Sequence, residues 1–202
     1  MRSTGAIVIL VIVLVVGFVG CAGCGTYNSL VGADEAVNEQ WANLQSVYQR
    51  RADLIPNLVA TVEGAADFER GTLQEVVEAR AAATSPQIQL DVDDLNDPEQ
   101  VEQFLAAQNR LGGALGRLLA ISESYPDLTA TENFLSLQDQ LEGTENRINT
   151  ERRRYNEVAT EYNRTIRTFP TNIWAGLFDF DRRVPFEAQE GAENAPTVDF
   201  DS

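Results

Sequence analysis

The chain has 202 residues, 44% hydrophobic and 23% charged, enough for one domain with an appendage. Its 31 acidic and 15 basic residues leave a net charge of −16 and a pI near 4.3; every basic residue is arginine, and neither lysine nor histidine occurs. These absences exclude His-dependent catalytic triads, His-ligated zinc, Glu-x-x-His di-metal sites and Schiff-base lysines, and the negative field makes nucleic acid an unsuitable partner.

Residues 5–24 carry no charge, and 7–16 are unbroken Ile, Val and Leu, which predicts entry into a membrane. Arg2 precedes the run, while Asp34, Glu35 and Glu39 follow it, so the positive-inside rule places residue 1 inside and the rest outside. Two readings stand. About 20 residues at ~1.5 Å each span the ~30 Å hydrocarbon core as a retained transmembrane anchor. Alternatively Phe18-Val19-Gly20-Cys21 is a loose lipobox and Cys21 is acylated after cleavage. The phenylalanine three before Cys21 and the length of the run favour the retained helix. Cys21 and Cys24 form a C-x-x-C spacing, but without a second pair or a histidine it predicts no zinc or redox centre.

Helical periodicity begins after Gly25. Val37, Trp41, Leu44, Tyr48, Ile55, Leu58 and Val62 follow steps of three and four, with Arg51 in the slot where an apolar residue is missing. Pro56 predicts a kink or a restart, and Gly64 an end. A second helix is predicted over about residues 65–83, with Leu73, Val76 and Val77 on its buried face; residues 84–97 read as a surface loop. Asp97-Pro98-Glu99 is a helix start, followed by Val101, Phe104, Leu111, Leu115 and Leu118; Gly112, Gly113 and Gly116 inside this helix predict close helix packing. After a turn at Tyr125-Pro126-Asp127, the longest helix runs through Phe134, Leu137, Leu141, Thr144, Ile148, Glu151, Tyr155, Val158 and Tyr162 to Thr165 and Phe169, and Pro170 ends it.

The expected fold is all-α: an N-terminal membrane helix followed by an elongated antiparallel four-helix bundle. The divisions are 1–24 (transmembrane anchor or lipoprotein signal), 25–170 (bundle), 171–186 (aromatic segment near the membrane) and 187–202 (acidic and disordered). Matching the seams of the first and last helices places Trp41 beside Tyr162, Tyr48 beside Tyr155, Ile55 beside Ile148 and Val62 beside Leu141. Arg51 and Glu151 then face each other, either as an ion pair fixing register or with both side chains reaching out to water. In this topology Ile173, Trp174, Leu177, Phe178, Phe180 and Phe186 lie beside the bilayer, with Trp174, Phe178 and Phe180 as its interface; alternatively they cap the open end.

Tyr27-Asn28-Ser29-Leu30-Val31, Arg50-Arg51-Ala52-Asp53-Leu54-Ile55-Pro56-Asn57-Leu58-Val59 and Glu123-Ser124-Tyr125-Pro126-Asp127-Leu128 form a distinctive set. With Asn133-Phe134, Thr144-Glu145-Asn146-Arg147-Ile148, Tyr155-Asn156, Tyr162-Asn163 and Phe169-Pro170, it resembles the LemA family of bacterial envelope proteins over residues 27–186. The resemblance implies a short N-terminal membrane segment, a long four-helix bundle outside the lipid, no recognised catalytic activity, and partnership with other membrane proteins such as membrane peptidases and TPM-domain proteins; some relatives belong to magnetosome membranes. This chain has Glu63-Gly64-Ala65 and Phe68-Glu69 where the family commonly has Lys-Gly-Tyr and His-Glu.

Three functions follow as expectations. The leading one is a membrane-anchored helical scaffold or adaptor of the bacterial envelope, whose partners are the membrane, another envelope or membrane protein, and a second copy of the chain. The alternative is an anion- or peptide-binding module in which Arg50, Arg147, Arg152, Arg153 and Arg154 gather, opposed by Glu145, Glu151 and Glu157 within helical reach. A hydrolase would need a carboxylate pair such as Asp93 with Asp94 or Glu142 with Glu145, and these read as solvated acids, so neither an enzyme nor a cofactor is expected. Tyr155 and Tyr162, one heptad apart, are expected in the seam with their hydroxyls satisfied at its edge.

Overall fold

The computed structural model describes residues 2–64 and 69–186, with side chains described from residue 23 onward and at a few positions before it. It is all-helical over that range, in six helices: α1 (Arg2–Glu63), α2 (Arg70–Ala83), α3 (Pro98–Ser122), α4 (Pro126–Thr129), α5 (Glu132–Arg167) and α6 (Thr171–Leu177). Helix α1 is unbroken across residues 24–25 and carries Pro56 in its interior, so the proline neither ends nor restarts it. Among the described residues no helix is long and apolar enough to cross a membrane. Most side chains of the run at 7–16, and that of Cys21, lie outside the described residues, as does the segment 187–202 expected to be disordered.

The start of α3 follows from its sequence: Asp97 accepts from the backbone N–H of Glu99 at 2.9 Å and of Gln100 at 3.4 Å, and Pro98 takes the first helical position. Thr131 caps α5 in the same way through Phe134 N–H. Leu73 and Val76 of α2 are buried as their spacing requires, whereas Val77 is exposed and Ala79 takes the inward place. The segment expected as a surface loop is tied down. Leu90 and Leu95 are buried in the core, and Val92–Asn96 forms a 3-10 turn in which the Asp91 N–H donates to the Asp94 carboxylate.

Helices α1 and α5 share the main seam and run antiparallel; α2 pairs with α3, and α2 leans on α1, where the Arg80 Nε donates to the Ala52 carbonyl at 2.8 Å. The register of the main seam differs from the expected one. Trp41 lies against Tyr155, with ring centroids 6.1 Å apart, and Arg51 against Glu145, so each α1 residue meets α5 one heptad earlier than its seam spacing suggests. A slip of seven residues buries the same faces, so periodicity alone does not distinguish the two registers.

The core falls into two hydrophobic clusters. One is built on Leu30, Trp41, Tyr48, Phe104, Ile148 and Tyr155, the other on Ile55, Leu58, Leu111, Leu118, Phe134 and Leu141. Between them each long helix of the contact interrupts its apolar series with a polar residue at the same level: Arg51 between Tyr48 and Ile55, Gln108 between Phe104 and Leu111, and Thr144 between Leu141 and Ile148.

Candidate functional site

Arg51 is the centre of that polar layer, and only 3% of it is exposed. Its Nη1 donates to Glu145 Oε2 at 3.0 Å; its Nη2 donates to Gln108 Oε1 at 2.6 Å and to the Gln108 carbonyl at 3.1 Å. Gln108 in turn donates from Nε2 to the Ala83 carbonyl at 3.3 Å. One guanidinium thus ties α1 to α5 and α3, and through Gln108 to the end of α2. It also stacks over the Tyr48 ring, 5.4 Å from the centroid, and its Nε is buried without a partner.

The expected Arg51–Glu151 pair is therefore corrected. With the seam displaced one heptad, Glu145 takes the place opposite Arg51, while Glu151 accepts from Gln40 at 2.7 Å and pairs with Arg154 at 2.8 Å. Glu145 is itself 49% exposed, so the buried cation is neutralised from the surface and the acid keeps part of its hydration.

On that side the helices do not close. Helices α3 and α5 flank a groove of about 910 Å³ with Tyr48 and Arg51 in its floor. Gly112, Gly113 and Gly116, expected to mark close packing, line it instead. A side chain at Gly116 would meet nothing within 4 Å, and one at Gly112 would have Arg51 Nη1 as its nearest neighbour at 3.7 Å. The α5 wall presents Glu142, Glu145, Asn149, Arg152, Arg153 and Asn156, and Phe186 stands at one end. In a chain of charge −16, the three arginines against two glutamates make the groove locally cationic.

Past α6 the chain turns back and lies extended along α5, held by two asparagine clamps. Asn163 donates to the Arg183 carbonyl at 2.7 Å and accepts from its N–H at 2.9 Å; Asn156 does the same for Phe186, with both distances 2.7 Å. The Tyr155 hydroxyl donates to the Val184 carbonyl at 3.2 Å, and Val184 N–H donates to the Leu95 carbonyl at 2.8 Å. The Arg183 side chain adds bonds to the Val92 carbonyl and to Asp34. An amide side chain matches a peptide unit donor for acceptor, which suits Asn to this task. Phe186, 3% exposed, then fills the space between Trp41 and Tyr155, at 5.7 and 4.6 Å between centroids.

Of the five arginines expected to gather, Arg152 and Arg153 line the groove with Arg51; Arg154 is spent on Glu151, and Arg50 and Arg147 lie outside the lining. Among the candidate acids, Asp94 caps the 3-10 turn and Glu145 serves Arg51. The exposed Cys24 is a free thiol, and no metal-holding group of His, Cys, Asp and Glu occurs among the described residues. Gln108 and the two asparagines were missed in the sequence. Gln108 stands in a visible gap of the α3 apolar series, whereas nothing local marks what Asn156 and Asn163 hold.

Burial divides the aromatic C-terminal segment. Ala175 and Phe186 are buried, Trp174 and Phe180 pack partly on the core, and Phe169, Ile173, Leu177 and Phe178 are exposed. Trp174 rests on Gly23, where an added Cβ would come within 2.5 Å of the indole, and Phe178 and Phe180 meet the edge of Tyr27 at 4.8 and 6.0 Å.

The LemA family model matches residues 40–200 of the chain. The chain belongs to the LemA family. It is 27% identical to magnetosome proteins MamQ 1 and MamQ 2 of Paramagnetospirillum magneticum over 186 residues, covering 85% of this chain and 68% of each relative. It is also 27% identical to the protein LemA of Metamycoplasma hominis over 166 residues, 82% of this chain and 71% of that one. In this LemA-family chain the Tyr155-Asn156 and Tyr162-Asn163 pairs divide their work, the tyrosines filling the α1–α5 seam and the asparagines facing outward to the chain they clamp.

Those tyrosines give the LemA fold an alkaline limit. Burial pushes the Tyr162 phenol up to about 12, with the Asp34 carboxylate adding to it, and burial raises Tyr155 and Tyr48 as well. A neutral phenol is thus favoured in the fold. Stability is complete below the ordinary tyrosine value near 10 and falls as pH rises toward about 12, because the unfolded chain loses protons the folded chain retains, by about 1.4 kcal/mol per pH unit per tyrosine. Tyrosinate absorbance and helical circular dichroism, followed together through that range, should change in one step.

Proposed function

We propose that the protein is a membrane-tethered helical scaffold: the apolar run before residue 23 anchors it, the helical body stands on the extracytoplasmic side, and another envelope protein is held there. The observation that carries this reading is the position of α6. Its Trp174 rests on Gly23 and its C-terminal neighbour Phe178 meets Tyr27, directly after the apolar run ends, while Ile173 and Leu177 of the same helix are exposed along with Phe178. An anchored α1 brings those side chains to headgroup depth, where aromatic and aliphatic groups are favoured. Similarity to magnetosome proteins supports the membrane association. The scaffold is read as non-enzymatic because one acid of each candidate pair is already engaged, Asp94 in capping the 3-10 turn and Glu145 in the Arg51 pair.

Trp174 tests the reading. The chain has two tryptophans, and Trp41 is buried in the core, so quenching by brominated lipid in phosphatidylcholine–phosphatidylglycerol liposomes reports Trp174. We expect strong quenching and a blue-shifted emission; emission indifferent to the brominated lipid would remove α6 from the interface. Retention of the anchor and acylation of Cys21 exclude each other, and the intact mass of the mature chain separates these two forms of tether.

A second use of the surface rests on the groove between α3 and α5. Its arginines and its open glycine wall suit an acidic segment, which keeps the peptide-binding alternative attached to a defined place.

A further inference from the structure

The asparagine clamps follow a rule. Asn163 holds Arg183 and Asn156 holds Phe186: seven residues along the helix are matched by three along the extended chain. Seven residues of helix rise about 10.5 Å and three of extended chain about 10 Å, so helix and strand stay in step. The next position of the series on α5 is 149. It is again asparagine, and it lies in the wall of the groove whose end Phe186 occupies. The residue in step with it is Gln189.

We infer that the groove is the seat of this chain's own segment after Phe186, with Asn149 clamping the backbone of Gln189 as Asn156 clamps Phe186. Three further observations agree with that occupant. The chain runs down α5 toward the groove as it reaches Phe186. The segment 187–202 carries five acids and no base, a charge opposite to that of Arg152 and Arg153 on the groove wall. The family match continues past Phe186 to residue 200, so the segment belongs with the rest of the domain. The opposite wall, lacking side chains at Gly112, Gly113 and Gly116, leaves the width a peptide backbone needs. Tethering supplies a high effective concentration, which lets this segment outcompete a free acidic peptide repelled by the whole molecule. The docking groove is thus self-occupied, and an external partner has to displace the segment.

Hydrogen exchange read by mass spectrometry on the full chain in detergent micelles tests this. Amides around Gln189 are expected to exchange at least roughly tenfold more slowly than in a synthetic peptide of residues 187–202, as two hydrogen bonds would impose. Asn149→Ala should return them to the peptide's rate while the amides of Arg183 and Phe186 stay protected, and R152E/R153E should do the same. Asn149 is exposed, so the helical circular dichroism of that variant is expected to be unchanged. Exchange at the free-peptide rate in the parent chain, or protection that survives Asn149→Ala, would overturn the inference. Protection that fades on dilution would assign the groove to a second copy and overturn it equally.

Discussion

Removing Glu145 is expected to weaken the fold more than removing Glu151, although Glu151 faces Arg51 in the seam spacing. Glu145→Ala leaves a guanidinium that is 97% buried with neutral partners only, at a cost of about 2 kcal/mol, moderated by the water that can reach the vacated side. Arg51→Ala should cost about 3 kcal/mol, since it opens a space between the two hydrophobic clusters and orphans the Gln108 carboxamide oxygen. Glu151→Ala loses its contacts to Gln40 and Arg154 and should cost about 1 kcal/mol or less. Urea denaturation of the single and double variants checks this. A coupling of about 1–2 kcal/mol is expected between positions 51 and 145, and none between 51 and 151. A coupling at 51 and 151 would restore the other register.

The second large effect is expected at Phe186, the last residue of the clasp. Phe186→Ala should destabilise by about 3 kcal/mol, because the ring fills the gap between Trp41 and Tyr155 and α1 and α5 cannot close over its absence. Asn156→Ala leaves the ring but frees the N–H and C=O that position it, for about 2 kcal/mol. The double variant should cost less than the sum, since one loss already releases the other contact. Denaturation midpoints measured together with Trp41 emission read both effects, and strict additivity would mean that clamp and ring act independently.

Much of the fold was legible in the chain. The three-and-four spacing of Val37, Trp41, Leu44 and Tyr48 and of Leu141, Ile148, Tyr155 and Tyr162 identifies the two buried faces, and all eight residues are buried. Asp97 and Pro98 mark the start of α3 because a cap acts within one turn. Even the polar layer left a trace, as the gaps at Arg51 and Gln108. The candidate site was much less legible. The glycines of α3 carry the same signal whether a helix packs on them or a groove lies open there, and the asparagines of α5 acquire their partners from residues some twenty to thirty positions away.

The division between the two has a physical basis. Sequence alone determines which residues form helices, which face of each is apolar and where the charges sit, because periodicity, capping and proline geometry act over a few residues. Tertiary structure decides what those faces meet. Registers one heptad apart bury the same apolar area, and the choice falls to contacts no local pattern encodes: Arg51 reaching Gln108 and Glu145 at once, Trp41 meeting Tyr155, and Phe186 returning to lie between them.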